Sequence, residues 1–199
     1  MTGPMTGGAK VTVAPAVPLL NVANGLTVSR LLLVPVFLVV LFVDAGTNDA
    51  WRWAAFAVFA IASLTDTFDG DLARRWGLVT DFGKIADPIA DKALTGAALV
   101  GLSVLGELAW WITITIAVRE VAVTALRFWV LRHGVIPASR GGKIKTALQT
   151  LALGLAIMPL PAVLAPATAV LMIAAVVVTV VTGVDYLVRA LRLRARARA

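Results

Sequence analysis

The chain has 199 residues, 60% of them hydrophobic, and a formal net charge of +7. Because a soluble domain is nearer half apolar, this excess favours an integral membrane protein whose basic residues face anionic lipid headgroups rather than nucleic acid. The chain has no cysteine and one histidine, His133, which excludes disulfides, thiolate metal sites and multi-histidine metal sites, so that any bound metal is expected to take oxygen ligands, as magnesium, manganese or calcium does.

The N-terminal segment, residues 1–17, is rich in glycine, proline and valine and is predicted to be a disordered tail. It lacks the charged-then-apolar pattern of a signal peptide. The segment from Asn21 to Asn24 fits either a short interfacial helix on the membrane surface or an ordinary lead-in to the first span. We expect one membrane domain over residues 18–191 and a basic tail over residues 192–199.

Six apolar segments come near the roughly 20 residues that a membrane-spanning helix needs. Pro159, Pro161 and Pro166 interrupt the last long apolar stretch and divide it into two segments. The predicted spans cover approximately residues 26–43, 51–64 with a continuation to 69, 82–105, 109–131, 146–164 and 167–191. The sequence therefore predicts an all-α integral membrane protein with six transmembrane helices.

The connections between the predicted spans alternate in charge. Most basic residues lie in the connections on one side or near the two termini, whereas the other side carries the acidic segment 44–49 and the turn at Gly106 and Glu107. Tryptophans at positions 51, 53, 110 and 111 lie where the spans meet this second side, as in an aromatic belt. The positive-inside rule therefore predicts that both termini are cytoplasmic.

Six aspartates crowd the second and third predicted spans, at positions 66, 69, 71, 81, 87 and 91. An ionised carboxylate inside a bilayer costs about 2.5 to 3.5 kcal/mol on insertion scales, and several of them together repel one another. Asp66 and Asp69 are three residues apart, and Asp87 and Asp91 are four apart, so each pair shares one face of its helix. A helical hairpin can direct these four carboxylates at one point, whereas the other two aspartates are interpreted as capping or solvated residues.

Divalent cations would offset both the burial cost and the repulsion among these carboxylates. Two metal ions about 3.5 to 4 Å apart fit the four aspartates and are typical of phosphoryl chemistry. Gly70 and Gly83 let backbone or ligand approach closely, and Arg74, one turn after Gly70, can bind a phosphate through its planar guanidinium. The spacing therefore predicts a metal or ion site next to a phosphate-binding arginine.

The region between Asp66 and Asp91 resembles a known signature. It reads Asp66-Thr-Phe-Asp69-Gly70-Asp-Leu-Ala73-Arg74, then Gly83 after eight residues, and then Asp87 and Asp91. This is similar to the D-x-x-D-G-x-x-A-R-x8-G-x3-D-x3-D motif of the CDP-alcohol phosphotransferases. Every fixed position is present at the family's spacing, and the six-span layout extends the resemblance to most of the chain.

Resemblance to this family implies a set of site residues. Two divalent cations, Mg²⁺ or Mn²⁺, would be held by Asp66, Asp69, Asp87 and Asp91. The CDP-binding surface would consist of Gly70, Ala73, Arg74 and Gly83, with Asp66 and Asp69 near the pyrophosphate. Asp91 would also serve as general base on the acceptor hydroxyl, and the products would be a phosphodiester lipid and CMP.

Further segments are similar to those of the bacterial phosphatidylglycerophosphate synthases within this family. They are Asn24-Gly-Leu26-Thr27-Val-Ser29-Arg30, Arg119-Glu120, Gly142-Lys143-Ile-Lys145-Thr146-Ala-Leu-Gln149, and Thr182 with Asp185-Tyr186. This resemblance implies CDP-diacylglycerol and sn-glycerol 3-phosphate as substrates. It also implies a homodimer in the bacterial plasma membrane, in contact with membrane lipids, with its active site facing the cytoplasm.

Basic residues outside the motif fit a phosphorylated acceptor. Arg119 lies deep in the fourth span, where an unpaired cation is costly, and Lys143 and Lys145 lie at the cytoplasmic mouth. These three residues are predicted to bind the phosphate of sn-glycerol 3-phosphate. The alternatives are an internal ion pair between Arg119 and a neighbouring acid, and a purely topological role for the two lysines.

Two other functions stay open at this point. Inositol 1-phosphate is a second acceptor that the basic residues would fit, and it would make the protein a phosphatidylinositol phosphate synthase. An ion-coupled transporter with a midplane ion site belongs to a different class. A transporter is expected to have repeated halves and discontinuous helices, and the sequence shows no such repeat.

Overall fold

The computed structural model describes the backbone of residues 22–76, 81–130 and 140–196, and the side chains of residues 24–65, 89–90, 92–130 and 141–195. Within these residues the chain forms α-helices and short 3-10 turns and no strand, so the all-α prediction is confirmed there. The helices are α1 Val22–Phe42, α2 Asp49–Trp76, α3 Asp81–Val104, α4 Trp110–Val130, α5 Arg140–Ile157 and α6 Ala165–Arg196. The predicted tail at 1–17 and the start of the predicted interfacial segment lie outside the described residues, whereas Asn24 lies within α1.

A tight left-handed turn joins α1 to α2. Residues 44–46 have φ values of 52°, 53° and 74°. Asn48 then caps α2, because its Oδ1 accepts the backbone N–H groups of Ala50 at 3.0 Å and Trp51 at 3.4 Å. These donors have no partner within the first helical turn. The polar cap therefore starts α2 at Asp49, slightly before the first residue of the predicted apolar span.

Gly106 ends α3 in a Schellman motif. Its φ is +77°, a conformation that glycine adopts without a steric penalty. Its N–H donates to the carbonyl of Ser103 at 3.1 Å, and the N–H of Glu107 donates to the carbonyl of Leu102 at 3.0 Å. The turn fixes the position of Glu107, which contacts Arg52 on α2.

Arg52 of α2 connects its helix to α5 and to the turn after α3 at this end of the bundle. Its Nη1 and Nη2 each donate to one carboxylate oxygen of Glu107 at 2.6 Å. Its Nε donates to the carbonyl of Ile157 at 2.8 Å, and Nη2 also donates to the carbonyl of Ala156 at 2.7 Å. These carbonyls at the end of α5 lack donors within their own helix, and the guanidinium supplies them. Arg52, which closely follows the acidic segment 44–49, thus links α2, α5 and the turn after α3.

The boundaries of α5 differ from the predicted span at 146–164. The helix ends at Ile157 because Pro159 has no N–H and disfavours the helical conformation of the residue before it. It begins as early as Arg140, since charged residues interrupt an apolar run without stopping a helix. For the same reason α6 continues to Arg196 and includes much of the predicted basic tail, while Pro166 lies harmlessly in its first turn.

The helices form two groups that share one core. α1 packs against α2 and α3, and α6 packs against α4 and α5. Contacts of α5 with α2 and α3, and of α3 with α4, join the two groups. The core includes Phe37, Leu41, Phe59, Leu102 and Ile116, all buried. The junction between the groups is where residues from α3, α4 and α5 meet.

Large apolar side chains cover much of the outer surface. Five that are between 64% and 70% exposed are Leu32, Val39, Val121, Phe128 and Val170. Among the described residues, the stretches Asn24–Gly46 and Ala162–Ala195 are long and apolar enough to cross a membrane. A soluble protein buries surfaces of this kind, so these features fit a membrane protein whose outer surface is covered by lipid.

Candidate functional site

The predicted aspartates lie on two helices that contact each other. Asp66 and Asp69 are in α2, and Asp87 and Asp91 are in α3. Because both helices are continuous through these positions, the three- and four-residue spacings keep each pair on one helical face. These positions lie outside the described side chains, as do the predicted nucleotide-binding residues Gly70, Ala73, Arg74 and Gly83. Their roles therefore stay predictions.

The donor chemistry of the aspartate motif fits divalent cations. Two contacting helices each contribute two carboxylates, and hard cations such as Mg²⁺ and Mn²⁺ prefer carboxylate oxygen. The four motif aspartates, whose side chains lie outside the described ones, stay the predicted metal ligands.

A cavity of about 520 Å³ lies among α3, α4 and α5. Its lining comprises Lys92, Thr95, Gly96, Leu99, Ile116, Ala117, Glu120, Val121, Thr124, Ala125, Phe128, Lys145, Thr146, Gln149 and Thr150. Thr95 follows Asp91 by one turn of α3, so the cavity adjoins the predicted carboxylate positions. Its wall is mainly apolar, which makes the charged side chains of Lys92, Glu120 and Lys145 conspicuous within it.

Glu120 joins α4 to α5 through an ion pair inside the bundle. Its Oε1 accepts from Nη1 of Arg119 at 2.9 Å and from Nζ of Lys145 at 2.5 Å. The side chains of the three residues are only 10% to 23% exposed. Two cations and one carboxylate leave this poorly solvated cluster with a net positive charge. An anionic ligand such as a phosphate would compensate that charge.

Arg119 is held on its other side by α6. Its Nε donates to the carbonyl of Thr179 at 3.1 Å, and its Nη2 donates to Oγ1 of Thr182 at 3.0 Å. Gly183 leaves room for the side chain, because a Cβ at this position would lie 3.0 Å from Cγ of Arg119. The pair between Arg119 and Glu120 is the internal ion pair that the sequence left open as the alternative role of Arg119.

The structure brings together two of the three residues predicted to bind the acceptor phosphate. Arg119 and Lys145 meet at Glu120, whereas Lys143 is exposed on α5. Residues two positions apart on a helix point about 200° apart, so Lys143 lies away from the cavity that Lys145 lines. The ion pair leaves the acceptor-binding role of these residues a prediction.

The sequence alone indicates no individual role for three residues of the cavity wall, Lys92, Thr124 and Gln149. Lys92 donates to Oγ1 of Thr124, which itself donates to the carbonyl of Glu120 at 2.8 Å. Gln149 is 3% exposed, and its Oε1 is buried without a hydrogen-bond partner among the residues that the structure describes. Glu120 and Thr124, like Lys145 and Gln149, are four residues apart on largely apolar helices. That spacing is a usable signal that each pair shares a face, but only the packing shows that the faces meet.

Known proteins resemble this chain over most of its length. A family model described as CDP-alcohol phosphatidyltransferase matches residues 20–181. A probable phosphatidylglycerophosphate synthase of Mycobacterium tuberculosis H37Rv is 52% identical over 191 residues, which cover 96% of this chain and 88% of that relative. The CDP-diacylglycerol–glycerol-3-phosphate 3-phosphatidyltransferase of Escherichia coli K12 is 38% identical over 139 residues, which cover 67% of this chain and 74% of that relative.

Proposed function

The chain belongs to the CDP-alcohol phosphatidyltransferase family, and we propose that it transfers the phosphatidyl group of CDP-diacylglycerol to sn-glycerol 3-phosphate. The products are phosphatidylglycerophosphate and CMP, which makes the protein an enzyme of phospholipid biosynthesis. The names of the two relatives support glycerol 3-phosphate as the acceptor, and the convergence of Arg119 and Lys145 on one carboxylate beside a cavity supports a phosphorylated alcohol. A cavity of this size accommodates a small phosphorylated alcohol.

The six helices span a bacterial plasma membrane, with both termini and the active site on the cytoplasmic side. The exposed apolar surface and the two long apolar stretches support a membrane location. The basic connections and the basic C-terminal end support the orientation. The diacylglycerol of the donor then stays in the bilayer while its CDP head reaches the aspartate motif. A homodimer, implied by the family resemblance, is part of the same proposal.

The aspartate motif binds the metal ions and the donor. Two divalent cations, Mg²⁺ or Mn²⁺, are held by Asp66, Asp69, Asp87 and Asp91 and, when bound, neutralise the pyrophosphate and the leaving CMP. The CDP surface consists of Gly70, Ala73, Arg74 and Gly83, with Asp66 and Asp69 near the pyrophosphate. Small residues leave room for the nucleotide, and a guanidinium binds phosphate in a bidentate manner.

Asp91 acts as the general base on the acceptor hydroxyl. The hydroxyl oxygen forms a bond to the phosphorus that carries the diacylglycerol, and the proton passes to the Asp91 carboxylate. The bond from this phosphorus to the bridging oxygen breaks, and CMP leaves with the electron pair. The position of the cavity supports this role, because Thr95 in its wall lies one turn from Asp91.

Arg119 and Lys145 bind the acceptor phosphate, which compensates the net positive charge that the two cations keep when paired with Glu120. The bonds from Arg119 to α6 support this, because they hold the guanidinium in place. Lys143 contributes from the cytoplasmic mouth as a more distant positive charge. Charge-assisted hydrogen bonds in a poorly solvated site favour a phosphorylated alcohol over a neutral one.

An acceptor competition tests the proposed function. Purified protein with CDP-diacylglycerol and Mg²⁺ is given sn-glycerol 3-phosphate, inositol 1-phosphate and serine at equal concentration, and the lipid products are identified by mass spectrometry. Phosphatidylglycerophosphate is expected to form fastest. Faster formation of the inositol or serine product would contradict the acceptor but not the transfer reaction. Failure to release CMP with any alcohol would contradict the transfer reaction itself.

A further inference from the structure

Gln149 carries a polar group that the protein itself leaves unsatisfied. The residue is 3% exposed, and its Oε1 is buried with no hydrogen-bond partner among the described residues. Buried polar groups without partners cost free energy and are uncommon in folded proteins, so such a group calls for a water molecule or a ligand as its partner. Gln149 also lines the cavity among α3, α4 and α5, so a rotation of its side-chain amide would turn Oε1 towards a ligand bound there.

The position of Gln149 relative to the cationic cluster suggests which ligand this is. Lys145 lies four residues earlier on α5 and lines the same cavity. One helical turn is about 5.4 Å, a distance that the short carbon chain of glycerol spans when its phosphate lies at Lys145. An acceptor bound at Arg119 and Lys145 therefore has its carbon chain within reach of Gln149.

The chemistry of Oε1 restricts the ligand further. An amide oxygen accepts hydrogen bonds, so its partner must donate a proton. Acyl chains have no donor, and the ester and ionised phosphate oxygens of a lipid only accept. The nucleotide is expected on the motif side of α2 and α3. Among the proposed substrates the hydroxyls of the acceptor alcohol remain, and one of the two free hydroxyls of glycerol 3-phosphate is consumed in the reaction.

We infer that Gln149 binds the non-reacting central hydroxyl of glycerol 3-phosphate and thereby selects acceptors that carry this hydroxyl. This inference rests on the proposed function, because it assumes that glycerol 3-phosphate is the acceptor. Gln149 then orients the acceptor at its central carbon. With the phosphate at Arg119 and Lys145 and the central hydroxyl at Gln149, the reacting hydroxyl has a defined direction. A site that hydrogen-bonds a substrate hydroxyl disfavours the analogue that lacks it.

The test compares glycerol 3-phosphate with 3-hydroxypropyl phosphate, which lacks only the central hydroxyl. The wild type is expected to prefer glycerol 3-phosphate by about tenfold in kcat/KM, the effect of one hydrogen bond. Gln149→Leu is expected to lose this preference by losing activity with glycerol 3-phosphate and not with the analogue. Thr146→Val is the matched control, since Thr146 lines the same cavity but its hydroxyl already donates to the Gly142 carbonyl at 3.2 Å. The control is expected to keep the wild-type ratio.

The outcomes separate this inference from the proposed function. A Gln149→Leu protein that keeps the preference, or that loses activity equally with both acceptors, would overturn the inference alone. Thermal unfolding checks the fold, and little loss of Tm is expected because the Oε1 that is removed has no hydrogen-bond partner among the described residues. If the leucine variant fails to fold, Gln149→Met is compared in the same way. A wild type that uses neither acceptor but transfers to another alcohol would overturn the proposed function and the inference with it.

Discussion

Lys145 and Lys143 differ in their surroundings although a single residue separates them. Lys145 is 8% exposed and bound to Glu120, whereas Lys143 is exposed on the other side of α5. The sequence predicts both lysines as ligands of the acceptor phosphate, and in the structure only Lys145 is buried. A phosphate in the cavity would contact Lys145 directly, whereas its electrostatic attraction to Lys143 would act over a longer distance and be screened by solvent.

Lys145→Met is therefore expected to raise the KM for sn-glycerol 3-phosphate by about tenfold to a hundredfold, since hydrogen bonds to charged groups contribute about 1.5 to 3 kcal/mol. The KM for CDP-diacylglycerol is expected to change little. Lys143→Met is expected to have a clearly smaller effect on the acceptor KM. Steady-state kinetics with each substrate varied in turn measures this. Equal effects of the two substitutions would contradict the position assigned to the phosphate.

Gly183→Ala probes the position of Arg119 without changing a charge. The new Cβ would lie 3.0 Å from Cγ and 3.3 Å from Nε of Arg119, so the side chain has to shift away from Thr182. We expect the acceptor KM to rise by about tenfold, the effect of one hydrogen bond. Gly25→Ala is the matched control, because its Cβ would meet nothing within 4 Å. An unchanged acceptor KM in Gly183→Ala would show that Arg119 tolerates displacement.

At the scale of helices, Arg52 holds α2, α5 and the turn after α3 together. Arg52→Met leaves Glu107 and two carbonyls at the end of α5 without this donor, and we expect a loss of about 1.5 to 3 kcal/mol in unfolding free energy, the contribution of hydrogen bonds to charged groups. The KM values are expected to stay unchanged, because Asp66 lies about 21 Å further along α2.

Thermal unfolding in detergent measures the effect of Arg52→Met. Arg189→Met is the control, because the pair between Arg189 and Asp185 is about half exposed on both sides and such pairs contribute at most about 1 kcal/mol. The Arg52 variant is expected to show the larger fall in Tm. Equal falls in the two variants would mean that the links from Arg52 do not stabilise the fold.

The sequence predicts which helices form better than where they end. α3 and α4 agree closely with the predicted spans, because their apolar runs end at the turn containing Gly106. α5 does not agree, because Lys143 and Lys145 end the apolar run while the helix continues. In the site, local spacing specifies which residues share a helical face. The contact between Glu120 and Lys145 spans 25 residues and follows only from how α4 and α5 pack.

The whole molecule divides the proposed reaction between its two groups of helices. The group α1–α3 carries the aspartate motif, and the group α4–α6 carries Arg119, Glu120 and Lys145. The cavity lies where the groups meet, among α3, α4 and α5. In this proposal the donor head would be bound by one group and the acceptor phosphate by the other, which would bring the reacting hydroxyl to Asp91 at the junction.

The proposed orientation in the membrane is tested by cysteine labelling, because the native chain contains no cysteine. Ala50→Cys lies at the exposed start of α2, and Ala195→Cys lies near the end of α6. A membrane-impermeant maleimide added to intact cells is expected to label position 50 and not position 195. Both positions are expected to react once the membrane is permeabilised. Labelling of position 195 in intact cells would contradict a cytoplasmic C-terminus.

The metal-dependent transfer reaction with Asp91 as its base is tested most directly by measuring CMP and phosphatidylglycerophosphate together. The wild type and Asp91→Asn are compared, each with Mg²⁺ and with excess chelator. The wild type is predicted to form the two products in equal amounts, and only with a divalent cation present. Asp91→Asn is predicted to be at least about a hundredfold slower, since it lacks the base that accepts the hydroxyl proton. Full turnover in excess chelator, or by the Asp91→Asn protein, would contradict the account.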